Sequence, residues 1–98
     1  MLTVKFTGEI IYWRGPAPFF FLPTPAKQSK EIKAVSNRLT YGWGCIPVTA
    51  RIGETEWTTA LIPREGAYMV PIKKVIREKL GLDDGVKTSI ILEFEEKP

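Results

Sequence analysis

Ninety-eight residues make one domain, 44% of it hydrophobic and 26% charged. That is enough for a single core burying roughly two-thirds of the unfolded surface, and it is not the composition of a disordered chain. The absence of histidine removes Ser-His and Cys-His nucleophilic machinery and nearly every zinc site. The single cysteine excludes an internal disulfide, and 14 basic against 11 acidic residues leave a mild net charge of +3.

The chain opens on a strand pattern, residues 3–13, rich in Val, Phe, Ile, Tyr and Trp. Gly8 is expected to mark a bulge or bend, because Ile10-Ile11-Tyr12-Trp13 is apolar on both faces. Arg14-Gly15-Pro16-Ala17-Pro18 makes a stiff turn, and Phe19–Leu22 returns as a strand ended by Pro23. Thr24 then reads as an N-cap with Pro25 at the first helical position. The helix over 24–40 carries Ile32, Val35 and Leu39 on one face and Lys27, Lys30, Lys33 and Arg38 on the other. Tyr41-Gly42-Trp43-Gly44 closes it.

Ile46, Val48, Ala50 and Ile52 alternate with polar or small neighbours as a half-buried strand. Gly53-Glu54 is a two-residue hairpin turn leading into a strand over 55–62. Arg64-Glu65-Gly66 turns the chain into Ala67-Tyr68-Met69-Val70. Pro71 is expected to open a second helix with Ile72, Val75, Ile76 and Leu80 on one face. Gly81 belongs at a left-handed C-cap, with Leu82 packing back on the last turn. Asp83-Asp84-Gly85 is a turn, and Val86, Thr88, Ile90, Leu92 and Phe94 alternate along a last strand.

The two halves, about 3–53 and 54–96, repeat one order: strand, turn, strand, Pro, helix, glycine turn, strand. Pro23, Ile32-Lys33, Val35, Leu39 and Gly44 answer Pro71, Ile72-Lys73, Val75, Leu80 and Gly85. The expected architecture is therefore a mainly β, α+β single domain over 1–98: a double-split β-barrel from two interlocking ββαβ repeats, a helix capping each end.

Gly66, Val70 and the run Ile72 to Gly85 resemble the swapped-hairpin DNA-binding proteins, the AbrB-type regulators and MazE-type antitoxins. Lys73 stands where their proline falls, Pro71 is displaced by two positions, and Val86 replaces their aspartate. The fuller resemblance is to a bacterial family known as a domain of unknown function, DUF1905. Tyr12-Trp13-Arg14-Gly15-Pro16-Ala17-Pro18-Phe19, Tyr41-Gly42-Trp43-Gly44 through Val48, and Leu61 through Gly85 carry it. It implies the double-split barrel and no particular activity.

The candidate site is the aromatic and arginine cluster of Trp13, Arg14, Tyr41 and Trp43, with Phe19 beside it. A rigid aromatic wall with a planar guanidinium suits a flat or anionic ligand; the same rings also serve as core. Both helices carry basic faces, read as solvated. Asp83-Asp84-Gly85 lacks the spaced ligands of a calcium loop, so no metal and no cofactor are expected. No apolar run approaches the ~18 residues of a membrane span. Met1-Leu2-Thr3-Val4-Lys5 lacks the pattern of a secretion signal, so the expected location is the cytoplasm. The expected function is a non-catalytic binding module for a small planar or anionic ligand or a protein. An AbrB-like DNA-binding regulator stands second, with nucleic acid disfavoured because the hairpins carry few clustered cations. An enzyme working without histidine stands third.

Overall fold

The computed structural model describes residues 2–15, 19–35 and 45–94. In them the chain forms β1 (Leu2–Glu9), β2 (Ile11–Trp13), β3 (Phe19–Pro23), α1 (Ala26–Ala34), β4 (Ile46–Ile52), β5 (Thr55–Arg64), β6 (Ala67–Ile72), α2 (Lys74–Leu80) and β7 (Lys87–Phe94). The strands make one antiparallel sheet of seven in the order β1-β7-β4-β5-β6-β3-β2. Only Ile10 separates β1 and β2, the two ends of that order, so the sheet curls until its ends are consecutive in the chain. β5 does the equivalent work inside the order. Thr55–Leu61 pair with β4, and Ile62–Arg64 pair with β6.

Strand periodicity puts alternate residues on one face, and here that face is the core. Val4, Leu92, Ala50 and Trp57 form one buried row across β1, β7, β4 and β5. Leu22 pairs with Val70 at the β3–β6 seam, both fully enclosed. α1 rests against β1 and β6 and sends Ile32 into the same core, as α2 sends Ile76.

Each proline within a strand sits where that strand has a single described partner. Pro23 pairs with β6 beyond the end of β2, and Pro71 pairs with β3 beyond the reach of β5. Pro47 pairs with β5 outside the β7 contact, and Pro63 pairs with β6 after β4 has ended. A residue without an N–H breaks no ladder there.

This placement corrects the second helix. Pro71 and Ile72 belong to β6, the N-cap is Lys73, and α2 begins at Lys74. Ile72 is buried from the strand, and Val75 is 66% exposed instead of facing the core. The matching of Ile32 with Ile72 therefore fails, since one is helical and the other is not. The first helix is corrected too. Its N-cap is Pro25, not Thr24, and no side chain caps it. The Thr24 N–H instead extends the β3–β6 ladder by donating to the Tyr68 carbonyl at 2.8 Å, and its hydroxyl is buried without a partner. Val35 is the C-cap, and Leu39 lies outside the described residues.

Gly8 does not carry the bulge. It pairs regularly with Thr88, and the irregularity falls at Ile10. Ile10 donates to the Val86 carbonyl and accepts from the Gly85 N–H, both at 2.8 Å, so two residues oppose one.

The turns follow expectation. Gly53-Glu54 joins the paired Ile52 and Thr55, and Glu65-Gly66, both at positive φ, join the paired Arg64 and Ala67. Gly81 closes α2 at φ +68°, and the Leu82 N–H donates to the Arg77 carbonyl at 2.9 Å while its side chain is buried.

Candidate functional site

The β2–β3 hairpin carries rings on both faces because its strands read Ile-Tyr-Trp and Phe-Phe-Phe. Register sorts them. Tyr12 pairs with Phe20, and Trp13 pairs with Phe19, so the first pair and the second point to opposite sides. Each side has drawn arginine to its rings.

On the first side Tyr12 and Phe20 pack at 4.7 Å between centroids, tilted by 42°. The Arg77 guanidinium lies 4.2 Å from the Phe20 centroid, and that of Arg14 lies 5.8 Å from Tyr12. Tyr12, Phe19, Phe20, Ile72, Lys74 and Arg77 line a cleft of about 300 Å³. Lys74 and Arg77 stand three apart on α2, neighbours on one helix face. Among the described residues the cleft lining holds two cations and no carboxylate, and the Arg14 guanidinium lies near the ring beside it. Asp84 is the nearby acid with a fixed role. Its Oδ1 accepts the Tyr12 backbone N–H at 2.9 Å and ties the last turn to β2.

A guanidinium stacked by its face keeps its in-plane N–H donors for an anion. Arg77 is half-buried, with its guanidinium carbon 4.2 Å from the Phe20 centroid, so the ring places its charge at the cleft. Tyr12 is 36% exposed, which leaves ring surface for a flat partner, while the Phe19 ring packs on Phe21 on the other side. Phe20 and Ile72 close the apolar side. The arrangement can orient a planar anion. Among the lining residues only Tyr12, Lys74 and Arg77 carry polar side chains, so it offers little acid–base chemistry.

On the second side the Arg64 guanidinium lies 4.9 Å from the Trp13 ring, although β5 and β2 are three strands apart in the sheet. Trp13 meets Phe21 edge-on at 6.5 Å. The same ring presses on Gly15, where a Cβ would fall 2.3 Å from Cη2 and Cζ2. Gly15 is glycine because the indole occupies the space a side chain would need.

The sequence-predicted residues divide accordingly. Trp13 and Arg14 are neighbours in sequence, but the chain sets Arg14 on Tyr12, and Trp13 takes Arg64 as its cation. Tyr41 and Trp43 lie outside the described residues. Sequence reasoning missed Tyr12, Phe20, Lys74 and Arg77 as a unit. The signal for the pair was the two aromatic strand runs themselves, whose register sets Tyr12 opposite Phe20. Arg77 reads only as one more cation of a solvated helix, and nothing local distinguishes it from Lys79.

The described surface has a larger depression of about 450 Å³, where Lys5 and Arg51 flank Ile91 and the Thr7 and Ser89 hydroxyls bond at 2.7 Å. Its one ring, Phe6, is buried in the core. No helix among the described residues is long and apolar enough to cross a membrane. Among them no three His, Cys, Asp or Glu residues gather as a metal site would require.

The family described as Domain of unknown function (DUF1905) matches residues 6–92 of the chain. No curated protein matches it.

Proposed function

The chain belongs to the DUF1905 family, and from that premise we propose that it is a small non-catalytic binding module for a planar anionic ligand, held in the Tyr12–Phe20 cleft. The observation that carries this reading is the Arg77 guanidinium lying 4.2 Å over Phe20 beside Lys74, in a cleft with no carboxylate among its described lining residues. In this reading Arg14 adds a further guanidinium, 5.8 Å from the Tyr12 ring centre. The exposed surface of Tyr12 takes the flat body, and Arg77 and Lys74 take the charge.

The double-split barrel belongs to the same proposal. Its support is reciprocal pairing. Leu2 with Phe94 is answered by Thr55 with Ile52, and Ile11 with Phe21 by Ile62 with Met69. The β3–β6 seam is centred on Leu22 and Val70, and the β4–β7 seam on Ala50 and Leu92. Two ββαβ halves that swap strands would pair in this way, with Thr24 and not Ile32 answering Ile72.

The test is a thermal-shift series with small ring carboxylates such as benzoate against acetate. A ligand of the native state raises apparent stability by mass action. The ring carboxylate should raise Tm where acetate does not, and Arg77→Gln should remove the shift. Equal shifts for both anions, or a shift that survives Arg77→Gln, would remove the cleft from consideration.

A further inference from the structure

The charge around the cleft exceeds what a carboxylate supplies. Lys74 and Arg77 line it, Arg14 lies 5.8 Å from its Tyr12 ring, and Asp84 accepts the Tyr12 backbone N–H, so three cations stand against one carboxylate, and none of the described lining residues is acidic. A ring carboxylate brings one negative charge. A phosphomonoester brings about −1.5 to −2 at neutral pH, with three strong acceptor oxygens. An arginine over the Phe20 ring, with a lysine one helical turn away, pairs a planar multi-donor cation with a mobile point charge, which is a phosphate-binding combination.

The ring surface sets the rest of the ligand. Tyr12 keeps more than a third of its surface in solvent and tilts against Phe20. Aromatic side chains next to cations stack bases of any sequence, since every base has a π-face. A cleft of about 300 Å³ is at the small end for ligand sites and fits one ring with one phosphate, not a chain of them. The depression between Lys5 and Arg51 provides the contrast, because it has cations and hydroxyls but no exposed ring.

We propose that the ligand of the Tyr12–Phe20 cleft is a planar ring bearing a phosphomonoester, the chemistry of a nucleoside monophosphate. This rests on the cleft being a planar-anion site. The same chemistry has two sources, a free nucleotide and the phosphorylated end of a single strand.

The experiment titrates the full chain by calorimetry with adenosine monophosphate, adenosine, inorganic phosphate and benzoate. It adds a short single-stranded oligonucleotide with and without a 5′-phosphate. The monophosphate should bind at least about tenfold more tightly than adenosine, phosphate or benzoate, a gap of ~1.4 kcal/mol. Its affinity should fall as pH drops through about 6, where the monoester gains its second proton. Arg77→Gln and Lys74→Gln should each weaken it about tenfold, a loss of ~1.4 kcal/mol per variant, and Arg51→Gln should leave it unchanged. Binding of the phosphorylated oligonucleotide alone among the two strands supports the proposal with a strand end as source. Failure of both strands beside a binding monophosphate supports it with the free nucleotide as source. Equal binding of both strands overturns it, because the backbone and not the monoester is then recognised. Benzoate binding as tightly as the monophosphate, with loss in Arg77→Gln, overturns the phosphate and leaves the planar-anion reading standing. No binding by any ring-bearing anion, or binding lost in Arg51→Gln and kept in Arg77→Gln, overturns both.

Discussion

Replacing Gly15 by alanine tests whether the Trp13 ring holds the hairpin tip together. The new Cβ would lie 2.3 Å from two ring carbons, far inside van der Waals contact, so the indole must leave its place. Leaving breaks its edge-on contact with Phe21 and its stacking under Arg64. An aromatic pair is worth about 0.5–1.5 kcal/mol beyond its buried area, and an exposed cation–π contact about 0.5–1 kcal/mol. The expected cost of Gly15→Ala is therefore about 1–2.5 kcal/mol. Gly15 is not at positive φ, so alanine strains nothing in the backbone itself. With the ring removed by Trp13→Ala, the same substitution should cost nothing or stabilise by about 0.4–1 kcal/mol, through the lost freedom of the unfolded chain. Urea denaturation of the wild type, both single variants and the double variant closes the cycle, provided the m values agree. Equal costs of Gly15→Ala in both backgrounds would refute the packing argument and return Gly15 to an ordinary turn residue.

Other substitutions test other links. Gly81→Ala should lower stability by about 1–2 kcal/mol, because an L side chain at φ +68° meets the left-handed penalty; a neutral result in thermal unfolding would contradict the cap. Ile72→Ala should cost about 2–5 kcal/mol and Val75→Ala less than about 0.5, since one is enclosed in β6 and the other stands in solvent. Comparable losses would restore a helix face shared by both. Thr24→Val should raise stability by about 1 kcal/mol, because the buried hydroxyl finds no partner and the replacement has its shape; a loss of that size on chemical denaturation would show that the hydroxyl is satisfied.

Where the chain announces itself, it does so through backbone chemistry that depends on nearby residues. Gly81 followed by Leu82, Gly53-Glu54 between alternating runs, and the Val86-to-Phe94 alternation all have local causes, and all stand in the structure. The failures share a different cause. Pro71 with Ile72, Val75, Ile76 and Leu80 satisfies a helical period, and only their pairing with β3 residues 50 and 52 positions away in sequence keeps Pro71 and Ile72 extended. Thr24 looks like an N-cap until β3 and β6 claim its N–H. The site was legible in composition, as aromatics and arginine at a stiff turn. Its assembly was not, because Arg77 reaches Phe20 and Arg64 reaches Trp13 through tertiary placement alone.

Amide chemical-shift mapping on the intact chain tests the central claim most directly. With a ring-bearing anion added in steps, the account predicts saturable shifts concentrated at Tyr12, Phe19, Phe20, Lys74 and Arg77, absent in Arg77→Gln. Shifts gathered instead around Lys5, Arg51 and Ser89, or none that saturate, would contradict it.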